Sequence, residues 1–127
     1  MTAEEIKVID FDLKIDSDTF VQTSIINVSQ RYKVFYCFKN GDTREDGEDR
    51  CSQEAFLSVG QQILDALNET QSAPVNISYY IKITSLSNSS KTYNNRDASP
   101  ETIKKIIDAL TNHIDELSFL NAFKRLV

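Results

Sequence analysis

The sequence predicts an α+β fold: a mostly antiparallel sheet of four to five strands, in the order β-β-β-(β)-α-β-(β)-α, with two helices packed on one face. Three observations predict it. Apolar and polar residues alternate over residues 9–16 and again over 75–84, the period of a strand with one wet face. Two later stretches, starting near Phe56 and Ile103, repeat their apolar residues at helical spacing instead. Only short polar segments separate these elements, so residues 1–127 are expected to form a single domain.

In the first strand Ile9, Phe11, Leu13 and Ile15 point one way, and Asp10, Asp12, Lys14 and Asp16 the other. Ile6 and Val8 have the opposite parity, which calls for a bulge near Val8 or for cover on both faces. Ser17-Asp18 reads as a turn, and Phe20 to Val28 as a second strand rich in β-branched residues. Tyr32 to Lys39 is apolar on both parities and suits a central strand. It ends in Asn40-Gly41, a pair that tolerates the positive φ of a type I′ hairpin turn. The stretch from Asp42 to Asp49 is too charged for an inner strand, and is expected to be an exposed edge strand or a solvated loop.

Ser52 offers an N-cap, and Phe56, Val59, Gly60, Ile63, Leu64 and Leu67 give an amphipathic helix to about Asn68. Pro74 ends that pattern before the fifth strand, and Lys91 to Asn95 returns as a short edge strand. Ser99-Pro100-Glu101 then supplies a cap, a first-turn proline and an acid at the positive end of the helix dipole. Ile103, Ile106, Ile107, Leu110, Ile114 and Leu117 form one stripe. Phe119, Leu120, Phe123 and Leu126 continue it in a drifting register, which predicts a kink or a short second helix after Ser118. Tyr36–Leu67 and Tyr79–Leu110 also echo each other, each running from a strand through a hairpin to a helix ending in Asp-Ala-Leu.

Charge narrows the function. The chain carries a net −5; residues 1–69 hold 14 acids against 7 bases, and residues 70–127 hold 5 against 7. An acidic first half disfavours nucleic-acid backbone and anionic lipid, which basic residues must neutralise, and favours a protein partner with a basic surface. No apolar run approaches the ~20 residues that cross a bilayer, and the N-terminal residues lack the features of a signal peptide, so a cytoplasmic location is expected.

Motifs for chemistry fail at named positions. On a calcium loop, Arg44 and Gln53 would occupy places that need oxygen ligands with a carboxylate last. Gly41, Gly47 and Gly60 make no phosphate-binding loop. His113 sits beside the apolar stripe of the last helix, and no local signature pairs it with Cys37 or Cys51. Those two cysteines are expected to be reduced thiols, with a bridge between them the less favoured reading. Asp10/Asp12 and Asp16/Asp18 share the wet face of a strand and do not oppose each other across a cleft. Tyr32, Phe35, Tyr36 and Phe38, with Arg31 and Lys33, resemble an aromatic nucleic-acid platform in composition, but packing of a central strand accounts for them better.

The expectation is therefore a protein that is not an enzyme and uses no cofactor or metal. It is read as a small stoichiometric inhibitor or immunity-type protein that acts by protein–protein contact, binding through Asp42, Glu45, Asp46, Glu48 and Asp49. The alternative is a homodimeric structural or assembly subunit that pairs through a strand edge or through Phe119, Leu120 and Phe123.

Overall fold

A computed structural model describes residues 1–29, 31–68, 78–94 and 99–126, with 125 and 126 described by backbone alone. Six strands make one antiparallel sheet: β1 (Ile6–Asp16), β2 (Thr19–Val28), β3 (Arg31–Asn40), β4 (Thr43–Cys51), β5 (Ser78–Ser85) and β6 (Ser90–Asn94). Helix α1 (Gln53–Asn68) follows β4, and α2 (Pro100–His113) follows β6. The α+β class is as expected, with six strands in place of four to five, because both of the doubtful strands form. The expected start of the fifth strand, Val75 to Ile77, lies outside the described residues, as does Asn95.

The strand order is β4-β3-β2-β1-β5-β6. The β3–β4 hairpin with α1 and the β5–β6 hairpin with α2 therefore flank a central β1–β2 pair. That arrangement is the spatial form of the echo between the two halves.

Alternation decides which side of the sheet is covered. Ile83, Ile9, Ile25 and Val34 make one cross-strand row, and Tyr79, Leu13, Val21 and Phe38 another. Apart from Phe38, which is partly buried, these side chains are buried, in one core with Phe56, Val59 and Ile63 of α1 and Ile103, Ile106 and Leu110 of α2. The bulge anticipated near Val8 is present: the register shifts between Ile6 and Val8, which turns Ile6 into the core. Helices begin where the caps allow. Ser52 Oγ accepts the Ala55 N–H at 3.0 Å, and Ser99 Oγ accepts the Thr102 N–H at 3.3 Å.

Two local expectations are corrected. Asn40 stays in β3, paired with Thr43, and the turn is Gly41-Asp42. Gly41 has φ +62 while Asp42 is not left-handed, the pattern of a type II′ turn, with glycine at the first central position. The last helix also breaks earlier than Ser118, at Ile114, whose extended backbone (φ −132, ψ 101) closes α2.

Beyond that break, Asp115–Leu126 runs in 3-10 turns. Ile114, Leu117, Leu120 and Phe123 then recur every third residue, which puts them on one side of a 3-10 helix, and all four are buried. Leu120 and Phe123 are thus part of the core, and half-buried Phe119 packs against it, so they cannot provide the homodimer interface expected of them.

Candidate functional site

Strand β4 pairs with β3 from Cys51↔Tyr32 to Thr43↔Asn40 and, among the described residues, has no strand on its other side. The charged stretch is therefore an edge strand and not a loop, and it is exposed as expected: Asp42, Glu45, Asp46 and Glu48 are open to solvent and Asp49 is half-buried. Charged side chains suit an edge because they discourage another strand from adding there.

Alternation divides the five expected residues instead of gathering them. Asp42 lies in the turn, Glu45 and Asp49 face the helix side of the sheet, and Asp46 and Glu48 face the open side. The open-side pair already has cations. Arg44 Nε lies 3.1 Å from Asp46 Oδ2, and Lys33 Nζ lies 3.6 Å from Glu48 Oε1.

The helix-side acids have a different environment, built by a glycine. A Cβ at Gly47 would collide with the Tyr36 ring, which lies across it. Tyr36 in turn packs on Phe119 at 5.5 Å between ring centroids, and Phe38 meets Phe119 at 5.3 Å and Phe123 at 6.0 Å. This aromatic cluster docks the C-terminal 3-10 segment beside β4, and so brings Glu116 to Asp49.

The two carboxyl groups lie close enough to share a hydrogen bond when one of them is protonated. The Asp49 carboxyl is held below the usual range, first by the Arg50 backbone N–H at 2.7 Å and then by Glu116. The Glu116 carboxyl is pushed up, first by sharing that bond with Asp49. Among the described residues, Glu45, Asp49, Asp115 and Glu116 have no cation within ion-pair distance; Lys124 nearby in sequence is paired with Asp108.

Asp115 and Glu116 were not singled out from sequence. A signal existed. Two acids just past a helix C-terminus oppose the dipole there, and a placement that costs stability suggests a use elsewhere.

The other side of the sheet has no described helix over it. Alternation sends Lys14, Arg31, Lys33, Lys39, Arg44, Arg50 and Lys82 to this open face against Asp10, Asp12, Asp46 and Glu48, seven bases to four acids in a chain whose net charge is −5. The acid excess of the first half therefore does not describe this surface.

Of the four aromatics considered as a platform, only Phe35 faces it. Tyr32, Tyr36 and Phe38 turn toward the helices, with Tyr32 against Phe56 at 4.8 Å. Asp10 and Asp12 are neighbours on the open face as expected. Asp10 Oδ1 accepts the Ser24 hydroxyl at 2.6 Å. Asp12 is half-buried, and its carboxyl is pushed up by that burial first and by Asp10 second, against a hydrogen bond from the Thr23 backbone N–H.

The remaining reactive side chains are dispersed. Cys37 pairs across with Asp46 on the open side and Cys51 with Tyr32 on the helix side, so the two free thiols lie on opposite faces of the sheet. Exposed His113 Nε2 lies 3.0 Å from the Gln62 side-chain amide of α1. Among the described residues no three His, Cys, Asp or Glu groups gather as metal ligands, and no helix is long and apolar enough to cross a membrane.

Fold and site together define an antiparallel α+β protein with an acidic edge strand. No protein-family model matches the chain, and no curated protein matches it.

Proposed function

We propose that this chain is a protein-binding domain of the stoichiometric inhibitor or immunity type, and that it engages a basic partner surface along the β4 edge. The observation that carries the reading is the cluster of carboxylates there without counter-ions among the described residues. Asp49 and Glu116 share a hydrogen bond, and Glu45 lies on the same side of β4. The shared bond needs a proton on Glu116, whose carboxyl is pushed up, so the pair holds one negative charge. An arginine or lysine brought against it would favour release of that proton and pair with both carboxylates. Asp42 extends the cluster at the turn. Asp46 and Glu48 contribute less, because Arg44 and Lys33 already answer them.

The combination Asp42→Asn, Glu45→Gln and Asp49→Asn separates these contributions from Asp46→Asn with Glu48→Gln. The chain is expected to capture a basic protein from its source cells at one-to-one stoichiometry. The triple variant loses that affinity and its salt dependence by about tenfold or more, and the double variant loses much less. Equal retention by both variants would remove the β4 edge from the account.

A second reading, a homodimeric assembly subunit, is favoured by one observation. The open face leaves Tyr80 37% and Val28 50% exposed, with no described element packed over them. Light scattering decides it: a mass that stays at 14.5 kDa across concentration rules the dimer out.

A further inference from the structure

On the open face, residues of β1, β2 and β5 surround a hollow of about 380 Å³. Register places Asp12 between Gln22 and Tyr80, and Lys14 between Phe20 and Ser78. Two aromatic side chains therefore stand diagonally across the hollow, with Asp12, beside Tyr80, and Lys14, beside Phe20, on β1 between them. We propose that this hollow is a cation site, which takes a guanidinium or ammonium group between Phe20 and Tyr80 with Asp12 as its anion. The site is distinct from the β4 edge, since β3 lies between β4 and β2, the strand of the hollow nearest to it.

Three observations converge on a cation. The first is that Asp12 is half-buried without an ion pair among the described residues and accepts a hydrogen bond from the Thr23 backbone N–H. A carboxylate desolvated beside Asp10 is unfavourable in the free protein, and a bound cation would offset both terms. The second is that two aromatic side chains, Phe20 and Tyr80, line the hollow, and an aromatic ring attracts a cation over its face. The third is how the nearby cations are disposed. Lys39 is turned to Asp18 at 3.5 Å, and Lys82 stands across from Asp10, not Asp12. Lys14 lines the hollow but is exposed, and its long side chain can carry its charge out into water.

Asp12 also supplies its own folding control. Its folded-state pKa lies above the ordinary 3.8, so the protonated form is favoured in the fold. Stability falls as pH rises through the interval above 3.8, and the cost of the charge is fully present at neutral pH. Asp12→Asn should therefore raise the Tm at pH 7, with the gain vanishing in acid. A loss of binding in that variant cannot then be ascribed to unfolding.

The experiment is a titration of the isotope-labelled full chain, followed by backbone amide shifts. The probes are ethylguanidine, N-acetyl-arginine amide and its neutral isostere N-acetyl-citrulline amide. Both cations are expected to shift the amides around Asp12, Phe20 and Tyr80 in a saturable way, with a millimolar Kd as befits one buried group. Citrulline should do so at least about tenfold more weakly, as should either cation with Asp12→Asn. Tighter binding of the arginine amide than of ethylguanidine would indicate a protein side chain as the natural ligand, and equal binding a small amine. Lys14→Ala should tighten both cations. Unsaturated or scattered shifts, equal binding of citrulline, or full binding by Asp12→Asn would overturn the proposal, as would loss of binding in Lys14→Ala.

Discussion

Thr23 shows how a single side chain can sit at odds with its surroundings. It lies on the helix side of β2, between Phe11 and Tyr36, and is 2% exposed. Its hydroxyl is buried with no hydrogen-bond partner among the described residues, a state that costs about 1–3 kcal/mol. Thr23→Val keeps the shape and removes the orphaned oxygen, so it should stabilise the fold by about 1 kcal/mol in urea unfolding. A destabilisation would mean that the hydroxyl has a partner. The thiols allow a second check. Burial pushes the Cys51 thiol up to about 11, and its hydrogen bond to Asp46 pushes the Cys37 thiol up as well. Only the thiolate alkylates, so both should react slowly with iodoacetamide at pH 8, and Cys51 should speed up as pH rises toward 11. Intact mass should be the same with and without reductant, because the sheet lies between the two sulfurs.

At the scale of elements, the sequence was readable where one periodicity ruled. Strand β1, the cap of α2 and the stripe of α1 follow directly from alternation, from Ser99-Pro100 and from helical spacing. It was harder to read where a partner decides. The charges of β4 resemble a loop until β3 is beside it, because edge strands need only half of their ladder bonds. The C-terminal segment was misplaced for a different reason. Its drift from helical spacing is the three-residue repeat of Ile114, Leu117, Leu120 and Phe123, visible in the sequence, where the first two fit the stripe of α2 as well and the last two read as interface residues. Leu120 is fully buried, so Leu120→Ala should cost about 2–5 kcal/mol and loosen the docking of Phe119 onto Tyr36. An exposed interface residue would show almost no loss. The candidate site was half legible. Its acids on β4 could be named, but their division between two faces and the arrival of Glu116 required the register and the aromatic cluster under Gly47.

For the molecule as a whole, folding redistributes the charge that the sequence places in its first half. Bases collect on the open face of the sheet, and carboxylates without counter-ions among the described residues collect where β4 meets the C-terminal segment. A chain of net −5 therefore presents two surfaces of different character, and the proposed function would direct a basic partner to the acidic one. The most direct test is calorimetric titration of the captured partner at two salt concentrations, with the parent chain and with the Asp42→Asn, Glu45→Gln, Asp49→Asn variant. The account predicts one-to-one binding by the parent that weakens steeply with salt, and an affinity about tenfold or more lower in the variant with most of that salt dependence gone. An unchanged affinity in a variant that keeps its fold would contradict it.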